Sequence, residues 1–185
     1  MTRLLPLTRS LAAALMLTLV AAAPAPALAA DALSIGLIPA EDSQAMIESS
    51  RQVLDQLRDQ MGMPVKPFVA TDYNGVIEAL RAKKLDVAYL GPFSYVLASS
   101  MANVEAFAVA VTKKTGQSAY KSVIIARKDS GITKPADLKG RNFAFVDPTS
   151  ASGHLFPKAG RMRTGIDPDT FFGRVIFSGS HDASI

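Results

Sequence analysis

Phe143-Ala144-Phe145-Val146-Asp147-Pro148-Thr149-Ser150-Ala151-Ser152-Gly153-His154 runs from four apolar residues into a hydroxyl-rich turn and on toward a helical pattern. Strand, turn and helix in that order bring Ser and Thr hydroxyls beside the first N–H groups of a helix, which have no internal acceptor. Such a turn can hold an anion without a positive side chain. Ser hydroxyls both donate and accept, which suits a ligand presenting several oxygens. The same residues also describe an ordinary Ser-rich helix cap with no ligand. The stretch predicts an α/β chain, with a small-oxyanion pocket and a plain cap as its two readings.

Outward from there, short apolar runs alternate with helical spacing, the pattern of an α/β fold. Residues 33–38 predict a strand stopped by Pro39. Asp42 or Ser43 caps the next segment, where Met46, Ile47, Val53, Leu54, Leu57 and Met61 recur at helical intervals. Gly62 ends that helix and Pro64 blocks its resumption. Residues 65–69 predict a second strand. Asp72 then caps a helix that puts Val76, Ile77 and Leu80 on one face and Lys83-Lys84 at its negative end. Residues 87–90 predict a third strand, short and apolar enough for a covered parallel sheet, and Pro92 opens a helix to about Ser100. Strands are expected at 104–111 and 122–126, either side of a polar turn containing Gly116. A short capped helix is expected at 133–140 and a last strand at 175–177. Residues 178–182 read as a turn and cap, and the sequence stops where a helix would begin. The expectation is a truncated chain, the alternative a natural terminus that frays.

The first 29 residues carry Arg3 and Arg9, an uncharged apolar run over 11–23, and the small-x-small pattern Ala27-Leu28-Ala29. That is the pattern of a cleavable secretory signal peptide, too short for comfortable bilayer spanning, which takes ~20 apolar residues. No Cys follows for a lipid anchor. The formal charge of +4 loses two units with the leader, and the remaining Lys and Arg are scattered, which excludes a nucleic-acid-binding balance. With no Cys and two His, thiol catalysis, disulfide scaffolding and thiolate metal sites are excluded, and no metal or other cofactor is expected.

Several segments together resemble the periplasmic phosphate/phosphite/phosphonate-binding proteins of ABC transporters. They are Gly36-Leu37-Ile38-Pro39 with Glu41, Asp72-Tyr73-Asn74-Gly75-Val76-Ile77, and Asp86-Val87-Ala88-Tyr89-Leu90-Gly91-Pro92-Phe93-Ser94. Tyr120-Lys121-Ser122-Val123, Phe145–Gly153 and Ser178-Gly179-Ser180-His181 complete the set. The resemblance implies a two-lobed periplasmic-binding-protein fold with its second lobe incomplete. Its divisions would be a signal peptide over 1–29, lobe one over 30–112, a crossover over 113–122, and the start of lobe two over 123–185. It implies a periplasmic protein that captures a phosphorus oxyanion between its lobes and delivers it to a membrane permease.

The resemblance also assigns ligand contacts. Ser150 and Ser152 would grip phosphorus oxygens, and Ala151 stands where some relatives carry a hydroxyl, so only its N–H remains. Tyr73 would donate a phenolic hydrogen bond, although a core Tyr is the plainer reading. Tyr120 would face the ligand or pack the hinge. His181 would contact the ligand or cap the following segment. His154 is expected to be structural, and Asp147 to orient the turn by accepting backbone N–H bonds. Thr149 ranks below the serines as a donor. Lys121 is the sole basic residue in the pocket segments, so hydrogen-bond geometry would set selectivity. Two other functions compete. One is a ligand-sensing domain of the same fold. The other is a serine hydrolase using Ser152 or Ser150 with His181, which lacks a Gly-x-Ser-x-Gly elbow.

Overall fold

The computed structural model describes residues 32–185, and the expected leader lies outside the described residues. Three parallel strands, β1 (Leu33–Leu37), β2 (Val65–Val69) and β3 (Val87–Tyr89), form one sheet in the order β2-β1-β3. Leu33 lies opposite Val65, and Ile35 opposite Val87. Pro67, with no N–H for a ladder, is tolerated because β2 is an edge strand.

Helix α1 (Ser43–Met61) starts at Asp42, whose carboxylate accepts the N–H groups of Gln44 and Ala45, and ends at Gly62 in the left-handed conformation. Helices α2 (Tyr73–Arg81) and α3 (Pro92–Ala102) follow β2 and β3. The period of two in β1 separates two cores. Ile35 and Leu37 pack with Met46, Leu54 and Val65 on the α1 side. Ile38 packs with Tyr73, Val76, Ile77, Leu80 and Ala98 on the α2–α3 side. Gly36 faces that second side, where a Cβ would stand 2.6 Å from Leu85 Cδ1 and 2.9 Å from Val76 Cγ1. The absent side chain is what lets α2 lie this close to the sheet.

A second, two-stranded parallel sheet pairs β4 (Asn142–Phe145) with β5 (Arg174–Phe177). Between them a wide helical turn (Ala151–Leu155) runs unbroken into α4 (Phe156–Met162), followed by α5 (Pro168–Phe171). On one face Phe143 stacks on Phe172 at 4.2 Å between ring centroids, with Phe145 and Leu138 beside them. Asn142, Phe143, Ala144, Arg174 and Ile176 line a shallow depression of about 270 Å³. Val146, one residue past β4, leaves this unit and packs into the α2–α3 core of the first.

Two expectations are corrected. Residues 104–111 and 122–126 form no strand. Their apolar residues stand in water instead, with Phe107 81%, Val109 70%, Val123 71% and Ile125 62% exposed. Alternation decides which face a strand would bury, but a strand exists only with a ladder partner, and neither described sheet extends to these segments. The helix expected at 133–140 is a single tight turn, Pro135–Leu138. It is held by the Asp137 carboxylate, which accepts from Thr133 N, Thr133 Oγ1 and Lys134 N. The polar loop at 112–119 is a turn as expected, with Gly116 N–H donating to Thr112 O at 2.8 Å.

Candidate functional site

The carboxyl ends of the two sheets face each other, the place where open parallel sheets bind ligands. Four hydrogen bonds join them, one of them from the Asp42 N–H beyond β1 to Asp182 Oδ2 beyond β5 at 3.0 Å. The His181 N–H beyond β5 donates to Ala40 O beyond β1 at 2.8 Å. The Tyr73 N–H at the start of α2 donates to Asp147 Oδ2 beyond β4 at 3.4 Å. Ser94 Oγ in the first turn of α3 donates to Thr149 O at 3.0 Å.

Asp147 organises the turn. Its Oδ1 accepts the Thr149 N–H at 2.7 Å and the Thr149 hydroxyl at 2.8 Å. Both carboxylate oxygens are thus turned onto donors of the protein, and Thr149 Oγ1 is spent on the turn. Ser150 caps the helical stretch. Its N–H donates to Asp147 O at 3.0 Å and its hydroxyl accepts the Gly153 N–H at 3.1 Å, leaving its O–H to donate elsewhere. Gly153 is required by closeness: a Cβ would sit 2.4 Å from Val146 Cβ, and the Gly153 carbonyl accepts the Val146 N–H at 3.0 Å.

Tyr73 is 2% exposed, and burial is the main cause that pushes its phenol up to about 12. Hydrogen bonding with the Ser150 side chain opposes that rise, while Asp147 and Tyr120 reinforce it. The phenol is therefore a neutral donor throughout the physiological range. Tyr73, Ser150 and the buried Ala151 are gathered here, with Tyr120 near enough to act on the Tyr73 phenol although its own side chain is half exposed. Ser152 is partly buried, and its carbonyl accepts from Ser122 Oγ at 2.7 Å. His181 sits at the β5 end, exposed, and its ring makes no hydrogen bond among the described residues. His154 is a packing residue: its ring lies edge-on to Phe145 and Phe177, with Nδ1 2.8 Å from Pro148 O. Lys121 is exposed.

Sequence reasoning missed Ser94 and Ser122 as supports of the turn. Their contacts span 55 and 30 residues, and a Ser donating to a distant carbonyl leaves no local pattern. Among the described residues no cluster of three His, Asp or Glu could hold a metal ion. No helix among them is long and apolar enough to cross a membrane.

A family model described as "ABC transporter, phosphonate, periplasmic substrate-binding protein" matches residues 35–185. The phosphate-import protein PhnD of Mycolicibacterium smegmatis is 33% identical over 162 residues, covering 83% of this chain and 50% of the relative. The phosphonates-binding periplasmic protein of Escherichia coli is 36% identical over 130 residues, covering 68% of this chain and 38% of the relative. The crystal structure of a binding protein component of a Pseudomonas aeruginosa ABC phosphonate transporter superposes with a TM-score of 0.77 at 33% identity. That superposition covers 83% of this chain and 52% of the other. The chain thus spans about half the length of the Mycolicibacterium and Pseudomonas proteins, and less of the Escherichia one. These relatives are substrate-binding components of transporters, not enzymes.

Proposed function

The chain belongs to the family of periplasmic phosphonate substrate-binding proteins of ABC transporters, and from that premise we propose that the protein captures a small phosphorus oxyanion between two lobes and hands it to a membrane permease. Lobe one comprises residues 30–112, the crossover 113–122, and residues 123–185 open lobe two, whose remainder lies outside this sequence. The leader over 1–29 directs export to the periplasm. The observation that carries the reading is the buried set of neutral donors at the facing strand ends: the Tyr73 phenol, the Ser150 hydroxyl, and the first N–H groups of the helical stretch at Ala151 and Ser152. Ser152 Oγ, Tyr120 and His181 complete the contacts. A site of this kind binds by count and direction of hydrogen bonds. It selects among phosphate, phosphite and phosphonates because a buried donor left unmatched costs about 1–3 kcal/mol.

The test is a thermal-shift and calorimetric panel of phosphate, phosphite, hypophosphite, methylphosphonate and 2-aminoethylphosphonate, with sulfate as control. A ligand present at about 100 times its Kd stabilises the folded protein by about 2.7 kcal/mol, and Ser150→Ala and Tyr73→Phe should remove most of that shift. A folded protein that responds to none of the phosphorus compounds would overturn the proposal.

A further inference from the structure

The turn that carries the donors is held from outside by two serines. Ser94, fully buried in the first turn of α3, donates to the carbonyl of Thr149 at 3.0 Å. Ser122, the last residue of the proposed crossover, donates to the carbonyl of Ser152 at 2.7 Å. These carbonyls belong to the peptides that flank the turn on either side. The N–H of the first peptide donates to Asp147 O and the N–H of the second to Ser150 Oγ, so both flanking peptides have every polar group engaged. The Ser150 carbonyl accepts the Leu155 N–H, and the Ala151 carbonyl accepts the Phe156 N–H. Around the turn the N–H groups of Ala151 and Ser152 precede the first helical acceptor and take part in none of these bonds.

We infer that Ser94 and Ser122 are positioning residues for oxyanion binding: from lobe one and from the crossover they fix the two flanking peptides, so that the paired N–H groups of Ala151 and Ser152 present themselves to the ligand already oriented. Neither serine touches the ligand. Ser94 does this across the cleft, from the first turn of α3 to the Thr149 carbonyl. Donors aligned before binding lose less freedom on binding, and the gain appears chiefly as slower release.

The inference rests on the function proposed above, and the experiment separates the two. Methylphosphonate and inorganic phosphate are titrated, with sulfate as control, into protein from the complete reading frame as wild type, Ser94→Ala, Ser122→Ala and Ser122→Thr. Affinity, dissociation rate, ligand-free melting temperature and the amide NMR signals of Ala151 and Ser152 are followed. The expected result is that those two amide signals move in the wild type. Each alanine variant should lose roughly five- to tenfold in affinity through faster dissociation, the loss expected for one hydrogen bond. Ligand-free melting should stay near wild type, and Ser122→Thr, which keeps the hydroxyl, should restore affinity. Alanine variants that bind as the wild type does would overturn the inference and leave the function standing. So would an affinity loss matched by lost ligand-free stability that Ser122→Thr does not recover. A wild type that binds neither probe removes the proposed function, and the inference with it.

Discussion

At the scale of the residue, Tyr73 shows how burial fixes a chemical role. Its backbone opens α2, its ring fills the core under that helix, and its hydroxyl meets Ser150. A phenol raised from 10.0 to about 12 cannot ionise in service, so its proton stays available for donation. The linkage has a definite sign. Because the folded-state value lies above the unfolded one, the contribution to stability is complete below pH 10 and is lost as pH climbs toward 12. A phenolate absorbance titration of wild type against Tyr73→Phe should therefore give a difference step near 12, and a step near 10 would contradict the burial. Gly153 makes a complementary point about size. Its carbonyl and missing Cβ let the start of the helical stretch rest on Val146, so Gly153→Ala forces the two apart. That overpacking should cost about 1–3 kcal/mol in chemical denaturation and weaken anion binding together with stability.

At the scale of the element, local chemistry was legible wherever the decisive interaction was local. Asp42, Gly62, Asp72 and Pro92 mark helix ends in the sequence and do so in the structure, because a cap is settled within about four residues. Asp42→Ala should thus cost about 1 kcal/mol in urea unfolding, the usual worth of an N-cap, and a change near zero would mean that water replaces the carboxylate at α1. Asp42 also joins distant elements, for its own N–H donates to the Asp182 carboxylate beyond β5. The Ser180 hydroxyl chiefly, with that N–H behind it, holds Asp182 below the usual carboxylate range. A depressed folded value means stability present above the unfolded value and lost as pH falls through the folded one. Asp182→Asn should accordingly lessen the loss of stability in acid. What the sequence could not show was pairing at long range. The apolar runs at 104–111 and 122–126 have strand-like composition, but whether either becomes a strand depends on a neighbour that no local pattern names. Ser94 and Ser122 were opaque for the same reason, while Ser150 was visible as part of a hydroxyl-rich turn before a helical pattern, and Tyr73 was singled out only by the family resemblance.

At the scale of the whole molecule, the described residues form a first α/β unit with two good cores and a second with one small aromatic core. The apolar side chains of Phe107, Val109, Val123 and Ile125 stand open between the units, and the outer face of β4–β5 carries Ile176 uncovered. Large apolar side chains exposed in this number promote association. A polypeptide of residues 32–185 alone should bind a hydrophobic dye such as ANS strongly and self-associate on concentration. Weak dye binding and a monomeric sedimentation profile would show those segments to be covered in solution.

Val146 has a consequence of its own. It belongs by sequence to the second unit and by packing to the first, where its side chain is 5% exposed. Parting the units means drawing that valine out of a finished core into water, a cost of about 1.5–2 kcal/mol for a side chain of its size. On the two-lobe function proposed above, this one side chain adds to whatever favours the shut form of the empty protein. The apparent affinity for the proposed solute would then be reduced by the fraction of molecules standing open, which that valine lowers.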